Sequence, residues 1–292
     1  MGLFHVWASL DGLLVLEELR GHYTICNPIT RQWTNLPVLS QCSTHYVCGF
    51  YLLCHGAEGG GEQGAGASES YYYYYYILSA GSTLPRRLAR TPDAPGRYDA
   101  PVPYRGALHW LSVHPQGART GKMLAFDTVS ETFRLMSRPP EPDPPQKWGE
   151  TMRDLLLLDG ELSVATMQQP LHLDIWVLQD YEAGKWALRH RHRVTLPPTT
   201  DFGLAGAAPM PARALSVGSS AVLIGSPAAT MAILYDLKEN RLRRIIDFGG
   251  IISFAAFSES LVPHAFLDLP RCPDVVPPKF THPFREHDVR TR

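Results

Sequence analysis

Short alternations of apolar and polar residues run along this chain, end in polar turns and begin again. At residues 23–37, YTICNPITRQWTNLP, Tyr23 and Ile25 alternate with Thr24 and Cys26, the period of a strand. Asn27-Pro28 then predicts a turn, because an Asn side chain can bond the backbone two residues on and Pro fixes φ for the next position. Trp33 and Leu36 fall on the returning strand. Degraded copies of the phrase occupy residues 122–140, 173–188 and 231–245, with Phe133, Trp186 and Leu242 in the place of Trp33. Each copy predicts a hairpin with a polar turn and an aromatic residue or leucine on the return strand.

Each hairpin has a companion upstream, a strand, a tight turn and a second strand: SLDGLLVL at 9–16, YRGALHWL at 104–111, LLLLDGELSV at 155–164, and Val217-Gly218 followed by residues 221–224. Four antiparallel strands per unit describe a propeller blade. Gly12 and Gly106 lie 94 residues apart, room for two units, whereas Gly106 to Gly160 is 54 and Gly160 to Gly218 is 58. Repeats of about 40–50 residues are the spacing of propeller blades. The missing unit falls at residues 46–90, where 46–53 and 71–79 read as strands around a glycine-rich stretch. The fold class expected is all-β, a β-propeller with five recognisable blades and closure into five, six or seven. Residues 251–257 and 265–267 are the expected closing strands. The propeller spans 1–268 as one domain, with 55–70 (HGAEGGGEQGAGASES inside it) a flexible insertion by composition and 269–292 a disordered tail.

Composition narrows the function. A net charge of −1 gives no electrostatic reason to expect nucleic acid or a membrane surface. No apolar run reaches the roughly 18–20 residues of a membrane span. Five cysteines without a CxxC pair, and a start without a signal-peptide pattern, fit reduced thiols in the cytoplasm or nucleus. The glycines at 59–66 are not followed by the Gly-Lys-Ser/Thr of a phosphate loop, and no Gly-x-Ser-x-Gly elbow occurs. His109, beside Trp110 on a strand, reads as a packed residue rather than a base. No cofactor, metal or catalytic residue is expected. Two segments stand out as partner contacts. Six tyrosines in a row, 71–76, place alternate rings on opposite faces of a strand; Tyr71, Tyr73 and Tyr75 form one set, for packing between blades or for a partner. In the sequence HRHR at 190–193, His190 and His192 share one face and Arg191 and Arg193 the other. The bland reading of this second segment is a solvated outer strand, and the sharper one is contact with an acidic partner. Pro139–145 reads as a stiff spacer.

The phrases SLDGLLVL, YTICNPITRQWTNLP, YVCGFYL, YRGALHWLS…KMLAFDTVSETFRLM and LLLLDGELSVA…LDIWVLQDYEAGKWAL, in that order over residues 5–260, resemble the F-box-associated propeller domain of plant F-box proteins. That resemblance implies a non-catalytic receptor that binds a protein substrate for a cullin–RING ubiquitin ligase. In the family a helical F-box ahead of the propeller holds a Skp-type adaptor. Here SLDGLL begins at residue 9, so adaptor contact is the one part of the pattern these residues do not supply. A truncated gene product acting as a bare substrate binder fits the same phrases. The competing readings are a propeller enzyme or small-ligand binder using the mouth of the central channel, and a decayed paralogue with little activity.

Overall fold

A computed structural model describes residues 5–18, 22–36, 47–53, 61–68, 72–79, 86–88, 101–111, 122–140, 151–168, 172–194, 213–225, 231–247, 257, 259–264 and 267. These residues form five four-stranded antiparallel sheets, each with its strands in chain order. Sheet 1 holds β1 (His5–Leu10), β2 (Leu13–Glu18), β3 (His22–Asn27) and β4 (Gln32–Asn35). Sheet 2 holds β5 (Val47–Leu53), β6 (Gly61–Ser68), β7 (Tyr72–Ser79) and β8 (Arg86–Arg87). Sheet 3 holds β9 (Val102–Tyr104), β10 (Ala107–Trp110), β11 (Lys122–Asp127) and β12 (Thr132–Ser137). Sheet 4 holds β13 (Thr151–Leu158), β14 (Glu161–Gln168), β15 (His172–Asp180) and β16 (Lys185–Arg193). Sheet 5 holds β17 (Arg213–Val217), β18 (Ala221–Gly225), β19 (Met231–Asp236) and β20 (Arg241–Asp247). A four-stranded up-and-down meander is the build of a propeller blade.

The repeated phrase is the last hairpin of a sheet: β3–β4, β11–β12, β15–β16 and β19–β20. The unit expected at 46–90 is sheet 2. Its glycine-rich stretch differs from expectation. Gly61–Ser68 is a strand rather than a loop, paired with β5 on one side and β7 on the other, with Gly61 opposite both Leu53 and Ser79 and Ala65 opposite Tyr75. Composition argued for a loop because glycine adds no side-chain packing. Its backbone groups nonetheless bond on both sides to strands rich in β-formers, and strand preference follows such neighbours more than intrinsic propensity. Residues 55–60, the closing segment at 251–256, the spacer at 141–145 and the tail at 269–292 lie outside the described residues.

The chain divides into two compact units. One comprises Met1–Ala100, Phe126–Phe133 and Ala255–His287, with sheets 1 and 2; the other comprises Pro101–Ala125, Arg134–Phe254 and Asp288–Arg292, with most of sheet 3 and all of sheets 4 and 5. In the first unit β1 lies beside β5. In the second, β9 lies beside β13 and β13 beside β17. Within each unit the first strands of successive sheets are therefore neighbours.

In the second unit, sheet 4 is buried on both faces. Leu162, Val164 and Leu178 pack with Leu111, Met123, Ala125 and Met136 of the sheet 3 segment. Leu156, Leu158, Ala165, Met167, Ile175 and Val177 pack with Ala214, Val222, Ile224, Ile233 and Tyr235 of sheet 5. Two buried faces explain why 173–178 reads as an almost continuous apolar run rather than clean alternation. Each fully buried aliphatic side chain contributes roughly 1.5–3 kcal/mol. A buried polar link joins sheets 4 and 5. Asp154, buried, accepts from Ala214 N–H (2.7 Å) and pairs with Arg213 Nε (2.9 Å), tying β13 to β17. In the first unit Leu13, Val15, Ile25, Leu36 and Leu78 form one cluster, and Leu16, Cys26 and Trp33 another. Burial pushes the Cys26 thiol up to about 12.

Candidate functional site

Because strands alternate in direction, the first and third connections of a sheet lie at the same end. Both kinds of connection are built by a repeated device. In sheets 1, 3 and 4 the first connection is a two-residue turn, Asp11-Gly12, Arg105-Gly106 and Asp159-Gly160, closed by the pairs Leu10↔Leu13, Tyr104↔Ala107 and Leu158↔Glu161. The φ angles are 48° and 84°, 50° and 72°, and 51° and 74°. Both turn positions are left-handed, as a type I′ hairpin requires.

The third connection uses the last strand residue as an acceptor for two backbone N–H groups. Asn27 Oδ1 accepts from Ile29 and Thr30, Asp127 from Val129 and Ser130, Asp180 from Glu182 and Ala183, and Asp236 from Lys238 and Glu239, at 2.7–3.2 Å. A left-handed residue then closes each loop: Arg31, Glu131, Gly184 and Asn240. The Glu239 N–H first, with the Lys238 N–H and Arg243, holds the Asp236 carboxyl below the usual range. These turns are rigid mounts for the side chains at their tips.

The turn ends of sheets 3 and 4 meet at an aromatic cluster. His109 is fully buried. Its Nδ1 lies 3.2 Å from Val102 O and its Nε2 3.0 Å from Tyr181 Oη. A carbonyl only accepts, so Nδ1 carries the proton and the Tyr181 hydroxyl donates to Nε2. Burial pulls the His109 pKa down to about 4, so the ring is neutral. Tyr104, His109 and Tyr181 pack edge to face, with ring centroids 5.6–6.2 Å apart. Two guanidiniums cover this cluster: Arg134 lies 4.6 Å from the Tyr181 centroid, and Arg105 lies 5.4 Å from Tyr104 and 5.5 Å from Tyr181. Arg134 pairs with Glu182 at 3.6 Å. Arg105 has no carboxylate partner among the described residues.

Between sheets 4 and 5 the turn end has a notch of about 30 Å³. Its floor is Leu158, Ile175, Val177 and Leu237, and its polar rim includes Asp159, Arg189, His190, Ser219 and Lys238. The two histidines expected to share a face do so. His190 and His192 are stacked, centroids 5.3 Å apart and planes 20° apart, and His192 also packs against Tyr235 at 5.8 Å. Arg191 points the other way and forks onto Asp174 through Nε (2.9 Å) and Nη2 (2.8 Å). Reading 190–193 as a wholly solvated strand is corrected at His192. That ring is only 9% exposed, because Tyr235 of sheet 5 covers it, and its Nε2 has no hydrogen-bond partner among the described residues. Burial, with His192 and Arg189, holds His190 below the ordinary histidine range. Arginines on the outer strands β16 and β20 blunt exposed sheet edges.

Tyr73 and Tyr75 lie on β7, in register with Ala67 and Ala65. Tyr71 lies outside the described residues, as do the blade-connecting segments 37–46, 89–100, 141–150 and 195–212. The tyrosines and the histidines belong to different units. Sequence reasoning passed over Arg105, Arg134 and Tyr181. The signal was present: Arg-Gly stands at 105–106 where the equivalent turns have Asp-Gly. Asp and Asn adopt left-handed backbone far more readily than a long side chain, for which it costs roughly 1–2 kcal/mol.

No family model matches this chain. F-box protein At1g31080 of Arabidopsis thaliana is 31% identical to it over 105 residues, which are 34% of this chain and 26% of that protein. The match thus spans about a quarter of the relative's length. Among solved structures, a chain of the nidogen/laminin complex gives a TM-score of 0.48 at 12% identity, covering 83% of this chain and 78% of that one. AztD of Citrobacter koseri gives 0.42 at 12% identity, covering 86% and 72%.

Proposed function

We propose that this chain is a non-catalytic protein-binding propeller, related to the F-box-associated domain and acting as the part of a ubiquitin-ligase receptor that holds the protein to be modified. The five sheets are its blades, and it works in the cytoplasm or nucleus. The observation that carries this reading is the repeated turn end, where stiff hairpins of one design mount different exposed side chains. A rigid scaffold with variable tips is the usual arrangement of a recognition surface. The partial match to an F-box protein supports the same reading. The notch of about 30 Å³ is far below the ~300–1,000 Å³ of small-molecule sites, and suits the tip of one partner side chain.

The test is affinity capture of the tagged full chain from plant cells, with and without a grafted F-box. A parallel bait replaces the exposed tips Ile29, Val129, Glu182 and Lys238 by Ser. The expected result is one set of proteins captured by both native baits, depleted at least tenfold by the tip substitutions, with Skp-type adaptor joining only on the grafted form. A capture profile unchanged by the tip substitutions would overturn the reading.

A further inference from the structure

We infer that the Arg105–Tyr181 cluster is the subsite that receives an acidic segment of the bound protein through its Asp or Glu carboxylates; this rests on the protein-binding reading above. Three observations converge. First, Arg105 occupies a left-handed turn position (φ 50°) whose equivalents in sheets 1 and 4 are Asp11 and Asp159. A residue that breaks the local rule of its own repeat points to a site under functional constraint. Second, its guanidinium is held over Tyr104 and Tyr181 without a carboxylate partner among the described residues, and the residue is exposed. The two ring faces attract the guanidinium by cation–π contact and leave its N–H groups for bidentate carboxylate recognition. Third, the platform beneath is tied to the core. Tyr181 is anchored through its hydroxyl to the buried neutral His109.

The charges nearby favour an anion. Two guanidiniums share the Tyr181 ring, and Glu182 offsets one of them across 3.6 Å, with side chains 43% and 80% exposed. Asp180 is turned to the Glu182 and Ala183 N–H groups. An incoming carboxylate meets Arg105 directly and competes with Glu182 for Arg134. Glu182 shows that this ring of groups already accepts a carboxylate.

The test titrates the full chain with fluorescein-labelled hexaglutamate, hexaglutamine and an alternating phosphoserine–glycine hexapeptide, at about 50 mM salt. Arg105→Asn removes the charge with a residue suited to left-handed backbone, so the variant keeps its fold, checked by circular dichroism. Arg244→Gln, on the exposed outer strand β20, is the control. Hexaglutamate is expected to bind, hexaglutamine not, and R105N to weaken hexaglutamate about tenfold, the loss of one charge-assisted fork, while R244Q changes it less than twofold. Equal loss in R105N and R244Q, or no preference for hexaglutamate over hexaglutamine, overturns the inference. Phosphopeptide binding tenfold tighter than hexaglutamate, and equally dependent on Arg105, overturns its carboxylate assignment. Cellular partners captured equally by wild type and R105N, yet lost from the tip-substituted bait, sink this inference alone and leave the protein-binding reading standing.

Discussion

Asn27 offers the sharpest test of how the repeated turn is built. Its counterparts Asp127, Asp180 and Asp236 are acids, and each accepts two backbone N–H groups. Asn27 also accepts two, from Ile29 (2.9 Å) and Thr30 (3.2 Å), but its Nδ2 donates to Ser260 O at 2.9 Å. An aspartate has no donor to offer a carbonyl, which is why the amide stands in this copy. Asn27 is fully buried and its three bonds are part-buried, so water replaces them less readily than the exposed bonds of Asp127. At about 1 kcal/mol net per bond, Asn27→Ala costs about 3 kcal/mol. Asp127→Ala loses two bonds in an exposed turn, where water takes over, and costs about 1 kcal/mol. Asn27→Asp keeps both acceptors but sets a carboxylate oxygen against the Ser260 carbonyl, and costs about 2 kcal/mol. Urea unfolding of the full chain, followed by tryptophan fluorescence with Trp7 and Trp33 reporting on sheet 1, measures all three. If Asn27→Ala costs no more than Asp127→Ala, or Asn27→Asp is as stable as wild type, the link to Ser260 and the reasoning from it are wrong.

Three further predictions use the same melts. Gly12→Ala is expected to destabilise more than Gly160→Ala: both positions are left-handed, but a Cβ at Gly12 would lie 2.6 Å from Ser260 Cβ and 2.9 Å from its backbone N, whereas at Gly160 nothing lies within 4 Å; equal costs would contradict the close approach. His109, whose folded pKa is lowered from 6.5 to about 4, is bound by a proton more readily in the unfolded chain. Its stability contribution is therefore complete above pH 6.5 and lost as pH falls toward 4, amounting to about 3 kcal/mol. His109→Gln should flatten that part of the pH–stability curve, and an unchanged curve would refute it. Asp154→Ala should cost about 3 kcal/mol, since it strands the buried Ala214 N–H and takes the Asp154 carboxylate from Arg213, and Asp154→Asn less, because the amide oxygen still accepts from Ala214; the reverse order would contradict the geometry.

The sheets were legible where strand and turn chemistry agree. The phrase ending in Asn or Asp named four outer hairpins, because the same side chain that ends the strand folds the turn. Asp-Gly and Arg-Gly named the inner turns, since few pairs tolerate two left-handed positions. The glycine-rich strand β6 was not legible, because its composition reads as a loop and nothing local marks its pairing with β5 and β7. The face shared by His190 and His192 followed from the two-residue period, while the cover that Tyr235 gives His192 comes from 43 residues further on and leaves no local mark. The Arg105–Tyr181 cluster joins two sheets and was visible only as an arginine out of place in its repeat.

The most direct test of the central claim is hydrogen–deuterium exchange of the full chain with and without its captured partner. Protection at residues 104–107, 158–161, 180–185 and 236–241, the turn ends of sheets 3, 4 and 5, is the result expected of a protein-binding turn surface. Protection confined to the opposite ends of the same strands, or none at all, would contradict it.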